Sequence, residues 1–307
     1  MSDLIEPLSQ KINVCGCENE LIDYLTELAE NYKLSVQRDE FDDLFLCHSA
    51  SNGYPMPIDT LIAVGVDVCG LISLCVKKDR AYLSKLGNFS LDPKKDWKVR
   101  DEDGKSYPLE FDPDDEKRLW IKKSGVRLGD IFTLVDGIVL KEKSLCGVFA
   151  ERFACIRILM ELASIENSGR FTFCFYTGSE SRAPRLSNIA RRLRPKQIVI
   201  LSPLESSVSS PTVAIREGKA FSDESLLDSA RNCQSRLEFP IRFSVLEENK
   251  TKSDLICATE AIPFISIFLP FERKDGLVGE ISLSSYDNCK LFLQDFLKEL
   301  NQALPMQ

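Results

Sequence analysis

The chain of 307 residues contains one histidine, His48. Histidine is the side chain that titrates near neutrality and the commonest ligand for zinc-type ions, so chemistry needing two or more imidazoles is excluded. A basic excess is missing too: 39 Lys and Arg face 47 Asp and Glu, a formal charge of −8 with a pI near 5.0. That balance argues against nucleic acid or an anionic membrane as the main partner. No segment approaches the roughly 18 uninterrupted apolar residues of a membrane span. The opening MSDLIEPLSQKINVC also lacks a basic stretch followed by an apolar one, so a cytoplasmic protein is expected.

Eleven cysteines cannot all pair, and most sit inside apolar runs, as Cys75, Cys155, Cys174 and Cys257 do. They read as small core residues in a reducing compartment. Cys15-Gly16-Cys17 is a possible metal or redox pair, but no second cysteine pair stands at matching spacing, and the plainer reading is preferred.

What is present is ordinary for a globular chain with a sizeable core: 44% hydrophobic and 28% charged residues. ENELIDYLTELAENY, residues 18–32, places Leu21, Tyr24, Leu25 and Leu28 on one helical face. TLIAVGV (60–66), FTFCFYT (171–177), QIVIL (197–201) and FISIFL (264–269) are apolar without alternation, the pattern of strands covered on both faces. Between them, Phe153, Ile156, Met160 and Ala163 recur at helical spacing, and the C-terminal YDNCKLFLQDFLKEL places Phe292, Phe296 and Leu300 on one face. Strands alternating with helices predict an α/β fold, a doubly wound mixed sheet with helices on both faces. Residues 72–143 break that rhythm with short β-type pieces and charged turns, predicting a small all-β domain inserted into an α/β domain of residues 1–71 and 144–307.

In order, these pieces resemble the dinuclear-metal aminopeptidases of the tetrahedral or glutamyl aminopeptidase type, also called endoglucanase-like. VCGCENELIDYL resembles the G-x-S-G-x-E start of that family's first helix. LIAVGVDVCGLI is similar to A-H-M-D-E-I-G-F, with Asp67 and Gly70 retained, and SGVRLGDIFTLV to its Gly-Asp element at Gly129-Asp130. LCGVFAERFACIRILMEL resembles D-D-R-x-G with Arg152 matching the arginine, FTFCFYTGSESRAPRLSNIA resembles the Q-E-E turn, and TKSDLICATEAIPFISIFLP the T-D-A segment. The resemblance implies the zinc-aminopeptidase-like fold and metal-assisted removal of N-terminal residues from peptides, with two divalent ions activating a bridging water and a glutamate as general base.

The implied site positions depart from the pattern. Gly65 stands where the first histidine belongs, Ala150 at the bridging aspartate with Glu151 beside it, Ser179 at the general base and Ser202 at the next aspartate. Lys274-Asp275 falls near the late histidine, and of five ligands only Glu180 keeps its type. A serine hydroxyl does not replace a carboxylate as proton acceptor near neutral pH. The expectation is a catalytically inactive homologue that acts by binding or assembly, with no cofactor; were it active, it would use zinc, cobalt or manganese. Asp67 and Ser179 are remnant catalytic positions, and Gly65, Ala150, Glu151, Glu180 and Ser202 remnant metal positions. The rival is a hydrolase whose metal site uses only carboxylates, from Asp67, Glu151, Glu180 and Asp254 or Asp275, a donor set suited to magnesium, calcium or manganese.

Plainer readings stand beside the sharper ones. His48 is read as a strand-end residue, and Asp67 as a turn or cap aspartate. Gly178-Ser179-Glu180-Ser181 does not match the G-x-S-x-G nucleophile turn. The basic run from Arg182 to Lys196 reads as a solvated helix face ahead of an anion or acidic-partner site. Family members assemble through the inserted domain, so the resemblance further implies a homo-oligomer formed through residues 72–143, with a peptide or another protein as possible partner, and no nucleic acid or membrane.

Overall fold

The apolar runs that carry no alternation become strands buried on both faces. The structure, a computed structural model, describes residues 2–11, 13–48, 58–87, 89–113, 115–135, 137–165, 170–179, 185–248, 250–251, 253, 256 and 260–303. The strands in chain order are β1 (Ser35–Arg38), β2 (Leu44–Cys47), β3 (Thr60–Gly65), β4 (Gly70–Lys77), β5 (Arg80–Leu86), β6 (Lys98–Arg100), β7 (Ser106–Pro108), β8 (Glu110–Asp112), β9 (Asp115–Lys122) and β10 (Ile131–Val135). They continue as β11 (Val139–Leu140), β12 (Ser144–Val148), β13 (Phe171–Tyr176), β14 (Gln197–Glu205), β15 (Thr212–Glu217), β16 (Ala220–Phe221), β17 (Arg242–Leu246), β18 (Phe264–Asp275) and β19 (Val278–Ser282). The helices are α1 (Ser2–Ser9), α2 (Asn19–Asn31), α3 (Ala150–Ile165), α4 (Arg185–Leu193), α5 (Glu224–Gln234) and α6 (Leu283–Ala303). None of them is long and apolar enough to cross a membrane.

Twelve strands form the large sheet, whose main order is β1-β2-β13-β3-β14-β18-β19-β12-β11, with β15 to β17 joined beside β18. Its centre is parallel: β13 on β3, β3 on β14, β14 on β18. Pairing of Tyr176 with Gly65 and of Leu201 with Val64 brings the carboxyl ends of these strands level along one rim.

Alternate residues of each central strand feed opposite faces. Ile62, Val64, Phe173, Phe175, Val199 and Leu201 pack with α3 and α6 on one side. Leu61, Ala63, Cys174, Ile198 and Ile200 pack with α4 on the other. The mixed, doubly wound α/β sheet expected from the sequence is therefore present. Helix α3 explains its own composition, because its residues from Phe153 to Met160 are all buried between sheet, α1 and α6.

Residues 70–135 hold a second sheet of seven antiparallel strands, ordered β7-β6-β10-β4-β5-β9-β8, with Trp97, Val99, Ile121 and Phe132 inside. The Trp97 indole donates to the Asp92 carbonyl at 2.9 Å, satisfying its one polar atom. Strands β11 and β12 pair back into the large sheet, β12 against β19.

Candidate functional site

The rim where β3, β13 and β14 end is where open α/β sheets place their ligands. After Gly65 the chain runs through Val66 to Asp67, whose side chain is fully buried. Its Oδ1 accepts the Ser179 backbone N–H at 2.5 Å, so this carboxylate caps the turn that leaves β13. The plainer reading of Asp67 as a turn aspartate describes this contact.

Gly65 itself lies beneath two side chains. A Cβ built there would fall 2.4 Å from the Ser179 Cβ, 2.5 Å from its Oγ and 3.4 Å from the Arg152 Nη1. Arg152 Nη1 also reaches the Gly65 carbonyl at 3.5 Å. Arg152 arrives from the first turn of α3, which starts at the buried Ala150 directly after Phe149 with φ of 55°.

Glu151 is buried beside Arg152, and its carboxylate rests on β19: a Cβ at Gly279 would meet Oε2 at 2.2 Å. Ser202 lies inside β14, half-buried and paired with Phe268. Asp275 ends β18 and faces Lys95 at 3.6 Å, while Lys274 pairs with Glu272 and Glu280. Glu180 and Asp254 lie outside the described residues. Of the positions singled out from sequence, the structure gathers Gly65, Asp67, Arg152 and Ser179 at one point. His48 is half-buried at the end of β2, with Nε2 2.7 Å from the Ala163 carbonyl.

A cleft of about 500 Å³ opens beside this point, between the rim and the loop at Phe89-Ser90. Glu151, Arg152, Pro203, Lys250, Phe271 and Arg273 are among its walls, with Phe89 from the inserted segment. Arg273 is held by Glu205 at 3.0 Å and by the Gly276 carbonyl at 3.0 Å.

The segment 13–18 packs beside Asp67: the sequence offered its Cys15-Gly16-Cys17 only as a less favoured metal or redox pair, and did not single out Asn13 or Glu18 as site residues. Val14 bridges to Val68, with the Asn13 carbonyl accepting from Val68 at 2.9 Å and Cys15 donating to Val68 at 3.4 Å. Cys17 closes a tight turn on Val14, with Gly16 at φ 89°. Glu18, buried at the head of α2, accepts from Gly16 at 2.9 Å through Oε2 and from Gly178 at 3.3 Å through Oε1. Burial, with the Asp67 charge adding, raises its pKa against those hydrogen bonds. One donor atom each from Cys15, Glu18 and Asp67 lies within 4.8 Å of the others; this is the one such cluster among the described residues. The only sequence cue was the compact V-C-G-C turn just ahead of a glutamate.

Two further polar clusters shape the rim. Asp43 accepts the Thr177 N–H at 2.9 Å and its hydroxyl at 3.1 Å and pairs with Arg185 at 3.1 Å, while Asp39 pairs with Arg192. Burial pushes the Asp43 carboxyl up to about 6, against the lowering by Thr177 and Arg185. The basic helix expected to face solvent thus has two of its arginines turned onto acidic partners. At the end of β15, the buried Glu217 accepts the Thr251 N–H, the Thr251 hydroxyl at 2.6 Å, Ser253 at 3.1 Å and Ser266 at 2.9 Å.

No family model matches this sequence, and no curated protein matches it either. Solved structures do. A TET aminopeptidase from a marine-sediment archaeon of the Thaumarchaeota superposes with a TM-score of 0.83 at 17% identity, covering 96% of this chain and 95% of that one. An aminopeptidase from the archaeon Desulfurococcus kamchatkensis gives 0.82 at 14% identity, over 96% and 93%. The TET1 peptidase of Pyrococcus horikoshii, described as assembling into a tetrahedron or a large octahedral shell, gives 0.78 at 12% identity, over 95% and 98%. The chain therefore has the aminopeptidase-like fold.

Proposed function

We propose that this chain is a catalytically silent relative of the metal-dependent aminopeptidases, one that works by binding or assembly. The observation carrying this reading is the occupancy around Gly65. The position matching the family's first histidine has no side chain, and the space a side chain would need holds Ser179 and the Arg152 guanidinium. A guanidinium there repels a divalent cation, the more so where water is sparse. Ala150 offers no ligand atom, and Ser202 only a hydroxyl within a continuous strand. A two-metal centre does not fit the described rim residues, and no hydrolytic step is routed through one.

What remains is a cleft with charged and aromatic walls, suited to holding a peptide or protein segment, and an inserted sheet. By analogy with the shells formed by the TET1 peptidase, residues 72–143 mediate self-association or mixed assembly with an active relative, in the cytoplasm. The test is an aminopeptidase assay of purified protein on aminoacyl anilides and short peptides with zinc, cobalt or manganese added. No turnover above buffer is expected. Cleavage accompanied by two bound metal equivalents would overturn the reading, and cleavage with manganese alone would favour the carboxylate-only site.

A further inference from the structure

We infer that Cys15, Glu18 and Asp67, with the Asn13 amide oxygen as fourth donor, form a single-ion site for a borderline-soft divalent cation of the zinc type. None of the five ligand positions implied by the resemblance takes part in it.

Three donor atoms within 4.8 Å of one another leave a point no more than about 2.8 Å from each. Zinc–sulfur and zinc–oxygen bonds of about 2.0 to 2.3 Å are reached from there by small shifts. Asn13 supplies the independent observation. It is fully buried, its Nδ2 donates to the Val66 carbonyl at 3.1 Å, and its Oδ1 has no hydrogen-bond partner. A buried amide oxygen left without a donor is unfavourable, and a cation beside it removes that cost.

Its direction follows from strand alternation. The parallel bridge puts Val14 and Val68 on one side, and a Cβ at Gly70 would strike both Val14 methyls at 2.5 Å, which fixes that side. Asn13 therefore leaves on the opposite side, the side of Asp67, and the Cys15 sulfur, set by the turn that follows, lies within 4.8 Å of that carboxylate. Glu18 joins from the head of α2, and each of its oxygens keeps a lone pair beyond the one given to a backbone N–H.

A thiolate among oxygen donors selects zinc or cobalt over magnesium or calcium. On binding, the Cys15 thiol releases its proton to solvent and its sulfur bonds the ion. Four protein donors make a closed, structural site that ties the N-terminal turn, the exit of β3 and the loop at Gly178 together.

The experiment is cobalt titration of the chelator-treated full-length protein, read as thiolate-to-cobalt charge-transfer absorption. One equivalent should saturate the band, Cys15→Ser should abolish it, Cys17→Ser should keep it, and Asp67→Asn should weaken binding at least about 10-fold. A readout needing no variant is alkylation of the wild type followed by mass spectrometry. One equivalent of zinc should slow modification of Cys15 at least about 10-fold and leave Cys17 unchanged. Absence of the band in wild type, its survival in Cys15→Ser, or unchanged Cys15 alkylation overturns the site. None of these readouts depends on peptidase activity, so this test and that of the silent-relative reading fail separately.

Discussion

Ser179 Cβ occupies the place that a Cβ on Gly65 would take, 2.4 Å from its built position. The two residues are complementary: one is bare because the other is not. Gly65→Ala is expected to destabilise the chain by about 1–3 kcal/mol through overpacking. Ser179→Gly should recover most of that loss in the double variant, as a coupling energy in a urea double-mutant cycle. If Gly65→Ala and the double variant unfold at the same midpoint, the two positions do not compete for space.

Glu217 is a buried carboxylate surrounded by donors from Thr251, Ser253 and Ser266. Glu217→Gln keeps the volume but turns an NH₂ toward groups that donate. A loss of about 2–4 kcal/mol in urea unfolding is expected, whereas the exposed Glu247→Gln should stay within about 0.5 kcal/mol.

The pH dependence centres on Asp43. Its carboxyl is pushed from an ordinary 3.8 up to about 6 by burial, so the folded chain holds a proton there that the unfolded chain lacks between those values. This contribution is fully present below pH 4 and is lost as pH rises through 6, at most about 3 kcal/mol. The stability difference between wild type and Asp43→Asn should therefore shift in favour of wild type as pH falls from 7 to 4. A difference that stays flat over this window would show that Asp43 titrates at its ordinary value.

Assembly is tested through the inserted segment, where Leu74 and Leu128 stand 62% and 70% exposed. Light scattering at micromolar concentration should give a multiple of 34.7 kDa, falling toward the single-chain mass for Leu74→Asp combined with Leu128→Asp. A wild type already at the single-chain mass removes self-assembly and leaves only the mixed complex.

The parallel strands were legible because a strand buried on both faces needs no polar alternation, as in TLIAVGV, and the short strands of residues 70–135 because their runs break at charged turns, whereas the pairing of Val139–Leu140 into the large sheet was not. Polar burial was not legible. Glu18, in CGCENE, looks like any helix-start acid; only the loop at Gly178, far along the chain, makes it internal. Glu217, in REGK, looks like a turn residue until Thr251 and Ser253 close over it. Arg185 and Arg192 look solvated because the aspartates that meet them lie about 150 positions earlier in the chain.

The second sheet also bears on how the chain folds. Strands β3 and β13 pair through Thr60 and Phe171, so more than a hundred residues must be looped out before the central contact forms. Within that loop β4 and β10 are neighbours, with Ile72 opposite Ile131. Once residues 70–135 have folded, their two ends lie side by side and the effective loop falls to fewer than half of the residues between Thr60 and Phe171. Closure entropy grows with the logarithm of loop length, and pairing distant in sequence slows folding. Early formation of the small sheet therefore acts as a kinetic shortcut, and a variant that unfolds it should slow assembly of the large sheet even where its own native contacts are untouched.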